Sequence, residues 1–140
     1  MNFLLSAQTL LALCAEESNP ALVWAQDVGT HALRVSVVSI AQAHATIGAV
    51  RNPQIRTRLE ADLSALLAKI VADAGPPVPF HAGHADIWKA LIGDQTLNGV
   101  VQTDRQVYAT AMYEGFTVVE EARGQSAALE ALGVTILILK

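Results

Sequence analysis

Little in this chain is charged, and almost nothing in it can cross-link. Of its 140 residues, 16% are Asp, Glu, Lys or Arg, 5% are aromatic and one is cysteine. A single cysteine, Cys14, rules out an intrachain disulfide and a cysteine-based zinc site. It lies in an apolar run and reads as a small buried hydrophobe rather than a nucleophile. A reducing compartment fits this usage, and the expected location is the cytoplasm. Basic residues are scarce. Nine Lys and Arg stand against thirteen Asp and Glu, a formal net charge of −4. Broad attraction to nucleic acid, driven by Lys and Arg neutralising phosphates, is therefore disfavoured, although a local basic patch stays compatible.

Long apolar runs are also missing. No stretch approaches the ~20 residues of a membrane span, so no membrane partner is expected. The N-terminus, Met1 to Ala15, has the apolar look of an export signal but lacks its positive start. No Lys or Arg precedes Arg34, Leu13 stands before Cys14 where lipoprotein processing needs a small side chain, and Ser6 to Thr9 interrupts the run. The expectation is a chain that is not exported.

What the chain does have is apolar residues, 52% of the total, with a mean hydropathy of +0.37. Disorder is excluded. The length suits a single domain spanning residues 1–140, and a domain this small has much surface for its volume. Part of the apolar excess is therefore expected at a subunit or partner interface.

The order of elements follows from periodicity and punctuation. Phe3 to Leu5 predicts a short strand, and Ser6 caps a helix carrying Leu10, Leu11 and Leu13. Asn19-Pro20 opens a second helix, ended by Gly29. Val35 to Ser39 is a β-branched run and predicts a buried strand, with an alanine-rich helix from about Ile40. Asn52-Pro53 starts the longest helix, in which Ile55, Leu59, Leu63, Leu66 and Ile70 hold helical spacing until Gly75-Pro76-Pro77. Val78 to Phe80 is extended. A helix through Ile87, Trp88 and Leu91 breaks at Gly93. Thr103 and Asp104 start another, stopped by Gly115. Thr117 to Val119 is a strand, Ala127 to Leu132 a helix and Val134 to Leu139 a final strand. Short apolar strands alternating with helices predict an α/β chain, a three-layer α/β/α domain with a central parallel sheet.

Several residues carry alternative meanings. Asp104 in a helix's first turn is favoured by the helix dipole, worth roughly 0.3–1 kcal/mol, with no further role needed. His81 and His84 share a helix face near Asp86 and could begin a zinc or nickel site, but no third ligand is evident, and two ordinary histidines at a helix start are the favoured reading. Arg51, Arg56 and Arg58 could touch phosphates. The favoured reading pairs Arg56 with Glu60 and Arg58 with Asp62 along the helix. Trp24 and Trp88 are large apolar anchors.

One stretch says more. Asp104-Arg-Gln-Val107-Tyr-Ala109-Thr110-Ala111-Met-Tyr-Glu-Gly115-Phe-Thr117-Val-Val119 resembles the third motif of PIN-domain nucleases, the fold of VapC-like toxin ribonucleases. That resemblance implies RNA phosphodiester cleavage with Mg²⁺ or Mn²⁺ held by converging carboxylates. It also implies a homodimer, and an antitoxin-like peptide partner in a helix-lined groove. The other acidic positions have been exchanged. Ser6-Ala7-Gln8 stands where the family has Asp followed by Thr or Ser. Ser36-Val37-Val38-Ser39-Ile40-Ala41-Gln42 matches a family run ending in Glu, so Gln42 replaces an acid. Glu120-Glu121-Ala122 puts Ala122 at the fourth position, and a frequent further acid falls at Gln125. Only Asp104 keeps its charge.

The resemblance thus implies a catalytically degenerate protein, in which Asp104 is the relic of an acidic site and Ser6, Gln42 and Ala122 are its exchanged positions. No cofactor is expected, with Mg²⁺ or Mn²⁺ required if activity persists. The remaining role would be binding of a partner peptide or of RNA. The alternative is an active metal-dependent ribonuclease with a rearranged site that uses Asp104 with Glu120 or Glu121. The favoured reading of those two glutamates is solvated charge at a strand end.

Overall fold

The computed structural model describes residues 1–121 and 125–140. The order is β1 (Phe3–Leu5), α1 (Ala7–Leu13), α2 (Pro20–Val28), β2 (Leu33–Arg34), α3 (Val37–Gly48), α4 (Pro53–Ala74), α5 (Ala82–Ile92), α6 (Gln102–Glu114), β3 (Thr117–Glu121), α7 (Ser126–Ala131) and β4 (Ile136–Leu139). Single 3-10 turns cover Thr30–Ala32 and Gln95–Leu97. The four strands form one parallel sheet in the order β2-β1-β3-β4. The α/β class with a parallel sheet agrees with the sequence pattern.

Alternation along the two inner strands builds two cores. Leu4 and Val118, register partners, lie in a cluster with residues of α5, α6 and α7. Leu5 and Val119, the next pair, lie in a second cluster with residues of α1, α3 and α4. All four are fully buried. Successive side chains on a strand point to opposite faces, so helices on both sides are needed to cover them. Each such side chain contributes about 1.5–3 kcal/mol on burial.

The helix boundaries follow capping chemistry. Ser6, Asn19, Ser36 and Asn52 each accept a backbone N–H at a helix start, and Pro20 and Pro53 occupy the first turns of α2 and α4. Gly115 ends α6 at φ +74°, ψ 30°, a left-handed geometry that a Cβ disfavours.

The strand expected over Val35 to Ser39 is not formed. Ser36 instead caps α3, with the Ser39 amide donating to its Oγ at 3.0 Å, so the helix begins at Val37, three residues earlier than expected. Only Ser36 keeps a strand-like contact, an isolated parallel bridge to Val78. Strand propensity in Val37-Val38 loses to the serine cap and to packing of Ala43 and Ile47. The short strand that does pair with β1 lies earlier, at Leu33–Arg34.

Arg105 secures the turn between α5 and α6. Its side chain is buried, yet its guanidinium faces only backbone carbonyls. Nε donates to Val100 O (3.0 Å), Nη2 to Leu97 O (2.9 Å), and Nη1 to Leu91 O (2.6 Å) and Ile92 O (2.9 Å). Leu91 and Ile92 belong to the last turn of α5, where carbonyls lack helical partners, and Leu97 and Val100 belong to the connection that leads to α6. Nearby, the Asp94 carboxyl is held below the usual range by the Thr96 hydroxyl and amide, with the charge of Arg105 adding to the effect. Both tryptophans pack on aromatic rings, Trp24 edge-on to Phe3 at 5.1 Å and Trp88 edge-on to Phe80 at 5.8 Å. Among the described residues, no helix is long and apolar enough to cross a membrane.

Two predictions follow from this packing. Arg105→Met removes the charged donor shared by the carbonyls of Leu91, Ile92, Leu97 and Val100 and should lower unfolding stability by about 1–3 kcal/mol in urea titration. Arg105→Lys should recover little, because an ammonium cannot span the fork. Burial and the nearby Asp62 charge push the Cys14 thiol up to about 11 from 9.0, against a smaller opposing effect of Arg58. The folded state therefore holds this proton more tightly than the unfolded chain. The resulting stabilisation is fully present below pH 9 and is lost as pH rises toward 11. Labelling of native Cys14 by a thiol reagent at pH 8 should be slow and should accelerate sharply in denaturant.

Candidate functional site: a cleft at the carboxyl rim of the sheet

The carboxyl ends of β1 and β3 lie side by side, and four of the residues singled out by sequence meet beside them. Ser6 leaves β1 and caps α1, Gln42 lies on α3, Asp104 is in the first turn of α6 and Glu120 is on β3. Together with Tyr108 and Val118 they line one cleft. This rim is where open parallel sheets generally place ligands.

The polar groups of the cleft are engaged with one another. Gln42 Nε2 donates to Asp104 Oδ1 at 2.9 Å and to Thr103 Oγ1 at 2.8 Å. The amide orientation follows from chemistry, since an ionised carboxylate only accepts and must face the NH₂ end. Tyr108 OH donates to Glu120 Oε2 at 2.8 Å, and both residues are buried. Ser6 Oγ lies 2.9 Å from Thr9 Oγ1 and accepts the Thr9 amide, while Thr9 Oγ1 donates to Val119 O at 2.8 Å. The hydroxyl at the first exchanged position thus serves the α1 start.

As placed, these polar groups are spent on hydrogen bonds within the protein, and little room is left for a hydrated divalent cation. Asp104 Oδ1 receives an N–H donor, which a cation binding at that oxygen would have to displace. Open space in the cleft amounts to about 10 Å³, near the smallest volume that admits one water. A Mg²⁺ ion normally brings several waters with it. We therefore derive no hydrolytic step through a metal at this cleft.

The structure corrects the reading of Glu120. A solvated charge was expected, but Glu120 is 1% exposed, under Tyr108. Strand alternation explains the difference: β3 runs on to Glu121, so Glu120 shares a face with Val118 and is covered by α6. Glu121 is exposed and lines a separate groove with Thr9, Asn19 and Leu139. The two glutamates therefore face opposite sides of the sheet. Ala122 lies outside the described residues. Gln125 donates to Asn98 O at 2.8 Å and bonds to a loop rather than to the cleft.

Of the arginine pairs, Arg58–Asp62 forms at 3.2 Å, and Arg58 also meets Glu16 at 3.3 Å. Arg56–Glu60 does not form. Arg56 donates to Val50 O, and Glu60 pairs with His44. Arg56 is captured by a loop carbonyl within reach of the α4 start, leaving Glu60 to a neighbouring helix. His81 and His84 adjoin Glu114, a residue to which sequence spacing gave no pointer. Tyr108 was also missed, although it follows Asp104 by four residues and so shares its helix face.

No family model and no curated protein matches the chain. Solved structures do resemble it. One is FitAcB from Neisseria gonorrhoeae, at 18% identity and TM-score 0.76, covering 96% of each chain. Another is VapBC2 from Rickettsia felis bound to a DNA fragment from their promoter, at 10% identity and TM-score 0.78 over the whole of both chains. A third is VapBC-5 from Mycobacterium tuberculosis, a member of the VapBC family of toxin-antitoxin systems, at 18% identity and TM-score 0.66, covering 99% and 98%. Likeness at this identity shows the fold alone. The PIN-domain identification is corrected on these findings: the similar structures are VapBC and FitAB complexes, no PIN model matches, and the chain is not assigned to that family. The physical reason lies in the motif itself. An acid in a helix's first turn, a glycine at its left-handed end and a buried strand satisfy the general needs of an α–β unit.

Proposed function

We propose that this chain is a component of a toxin–antitoxin-type module that acts by binding a protein partner and does not hydrolyse phosphodiesters at the Asp104 cleft. The observation that carries this reading is the Gln42–Asp104 hydrogen bond. It gives the carboxylate an uncharged partner inside the protein, in a space too small for a hydrated ion. The connection to such modules rests on structural likeness to VapBC and FitAB complexes.

A peptide partner suits the surface. A groove of about 500 Å³ opens between α1, α2 and the carboxyl ends of β3 and β4, and an apolar groove of about 360 Å³ lies along α2 and α4 beside Leu13, Leu22 and Leu66. Extended or helical segments commonly bind such grooves. Three of the solved complexes hold DNA. With a net charge of −4 and Arg105 buried, this chain has little to offer phosphates itself.

The test is incubation of untagged protein with single-stranded and structured RNA in Mg²⁺ or Mn²⁺. The expected result is no cleavage above that of Asp104→Asn. Cleavage that Asp104→Asn abolishes would contradict the proposal and favour the alternative site built on Asp104 and Glu120. Gln42→Glu provides a second measurement. It sets two carboxylates in contact, so it should lower the melting temperature in EDTA and recover with Mn²⁺, whereas Mn²⁺ should leave the Asp104 site of the wild type unaltered.

A further inference from the structure

At the far end of α6, about 15 Å from Asp104 by helical rise over ten residues, three metal-ligating side chains converge from two helices. His81 caps α5, His84 lies in its first turn and Glu114 is the last residue of α6. Their ligand atoms all lie within 4.8 Å of one another. Glu114 Oε1 is 2.9 Å from His84 Nε2 and 3.7 Å from His81 Nε2. Two ligands bound tetrahedrally at 2.0–2.1 Å are about 3.3 Å apart, so these separations already bracket those of a metal site.

The surroundings add to the case. His84 is fully buried, the two imidazoles stack with centroids 3.7 Å apart, and Tyr113 stands edge-on to both at 5.0 Å. Gly83 makes this packing feasible, since a Cβ there would come within 2.5 Å of the Tyr113 ring. An aromatic wall of this kind limits water around a site and fixes ring orientation. Glu114 ends a helix, where a carboxylate meets the negative pole of the dipole and gains from a nearby cation.

We propose that His81, His84 and Glu114 form a site for one divalent transition-metal ion of the zinc class. Two imidazole nitrogens and one carboxylate oxygen suit such an ion and do not suit Mg²⁺, which prefers an all-oxygen shell. Water completes the coordination. Without metal, each ring accepts a backbone N–H at Nδ1, from Gly83 to His81 and from His81 to His84. Ligation through Nε2 moves each ring's proton to Nδ1, so these two capping bonds are given up as the ion binds. The site therefore couples metal occupancy to the first turn of α5.

The test uses the untagged full chain stripped with EDTA and titrated with ZnCl₂ by calorimetry and with CoCl₂ by visible absorption. One equivalent of Zn²⁺ should bind, Co²⁺ should develop ligand-field bands that Zn²⁺ bleaches, and excess MgCl₂ should not compete. His81→Asn keeps a helix-capping side chain but removes a ligand, and Glu114→Gln keeps a hydrogen-bond acceptor for the imidazoles. Each should fold and weaken Zn²⁺ by about tenfold or more. Absence of stoichiometric binding to the wild type, or undiminished binding in the two variants together, would overturn the proposal.

Discussion

Two adjacent strands with alternating buried side chains are the constraint on which this molecule depends. β1 and β3 run in register, sending Leu4 and Val118 to one face and Leu5 and Val119 to the other, with no exposure on either. A sheet buried on both faces must be covered twice. That requirement explains the alternation of helices and strands, the high apolar content and the two separate cores. It also places the carboxyl ends of the inner strands side by side at one rim, where Ser6, Gln42, Asp104 and the buried Glu120 line one cleft.

The electrostatics of that rim favour internal satisfaction over ligand capture. A carboxylate withdrawn from water needs donors, and the fold supplies a tyrosine hydroxyl for the buried Glu120 and a glutamine amide for the half-buried Asp104. Hydrogen-bonded pairs of this kind hold α6 against β3 and α3. The opposite end of α6 has a different composition. There, two imidazoles and a carboxylate bring their ligand atoms within 4.8 Å of one another. One helix thus carries a hydrogen-bonded polar cleft at its start and a cluster of imidazole and carboxylate groups at its end.

Much of the fold was legible because punctuation in the chain is strong. Asn52-Pro53 and Gly75 bounded α4, and Gly115 bounded α6, as their capping chemistry requires. The region from Leu33 to Ser39 was misread, since β-branched residues suit either element and the Ser36 cap decided the outcome. At the site, the meeting of Ser6, Gln42 and Asp104 was legible, but the inward turn of Glu120 was not. It depends on β3 continuing past Val119, because only an extended backbone there puts Glu120 on the same face as the buried Val118. Glu114 was unreadable because its relation to His81 and His84 arises only from the packing of α6 on α5. The motif around Asp104 misled for the opposite reason. It describes a helix start, a glycine stop and a strand that many α/β proteins share.

The most direct measurement is Mn²⁺ binding to the wild type and to Asp104→Asn, followed by calorimetry and by paramagnetic relaxation of water. With the carboxylate held by Gln42, the two proteins should bind Mn²⁺ with equal affinity and stoichiometry, any shared weak binding arising elsewhere. A wild-type site that Asp104→Asn removes would contradict this account, because it would show that the cleft opens and that Asp104 coordinates the ion.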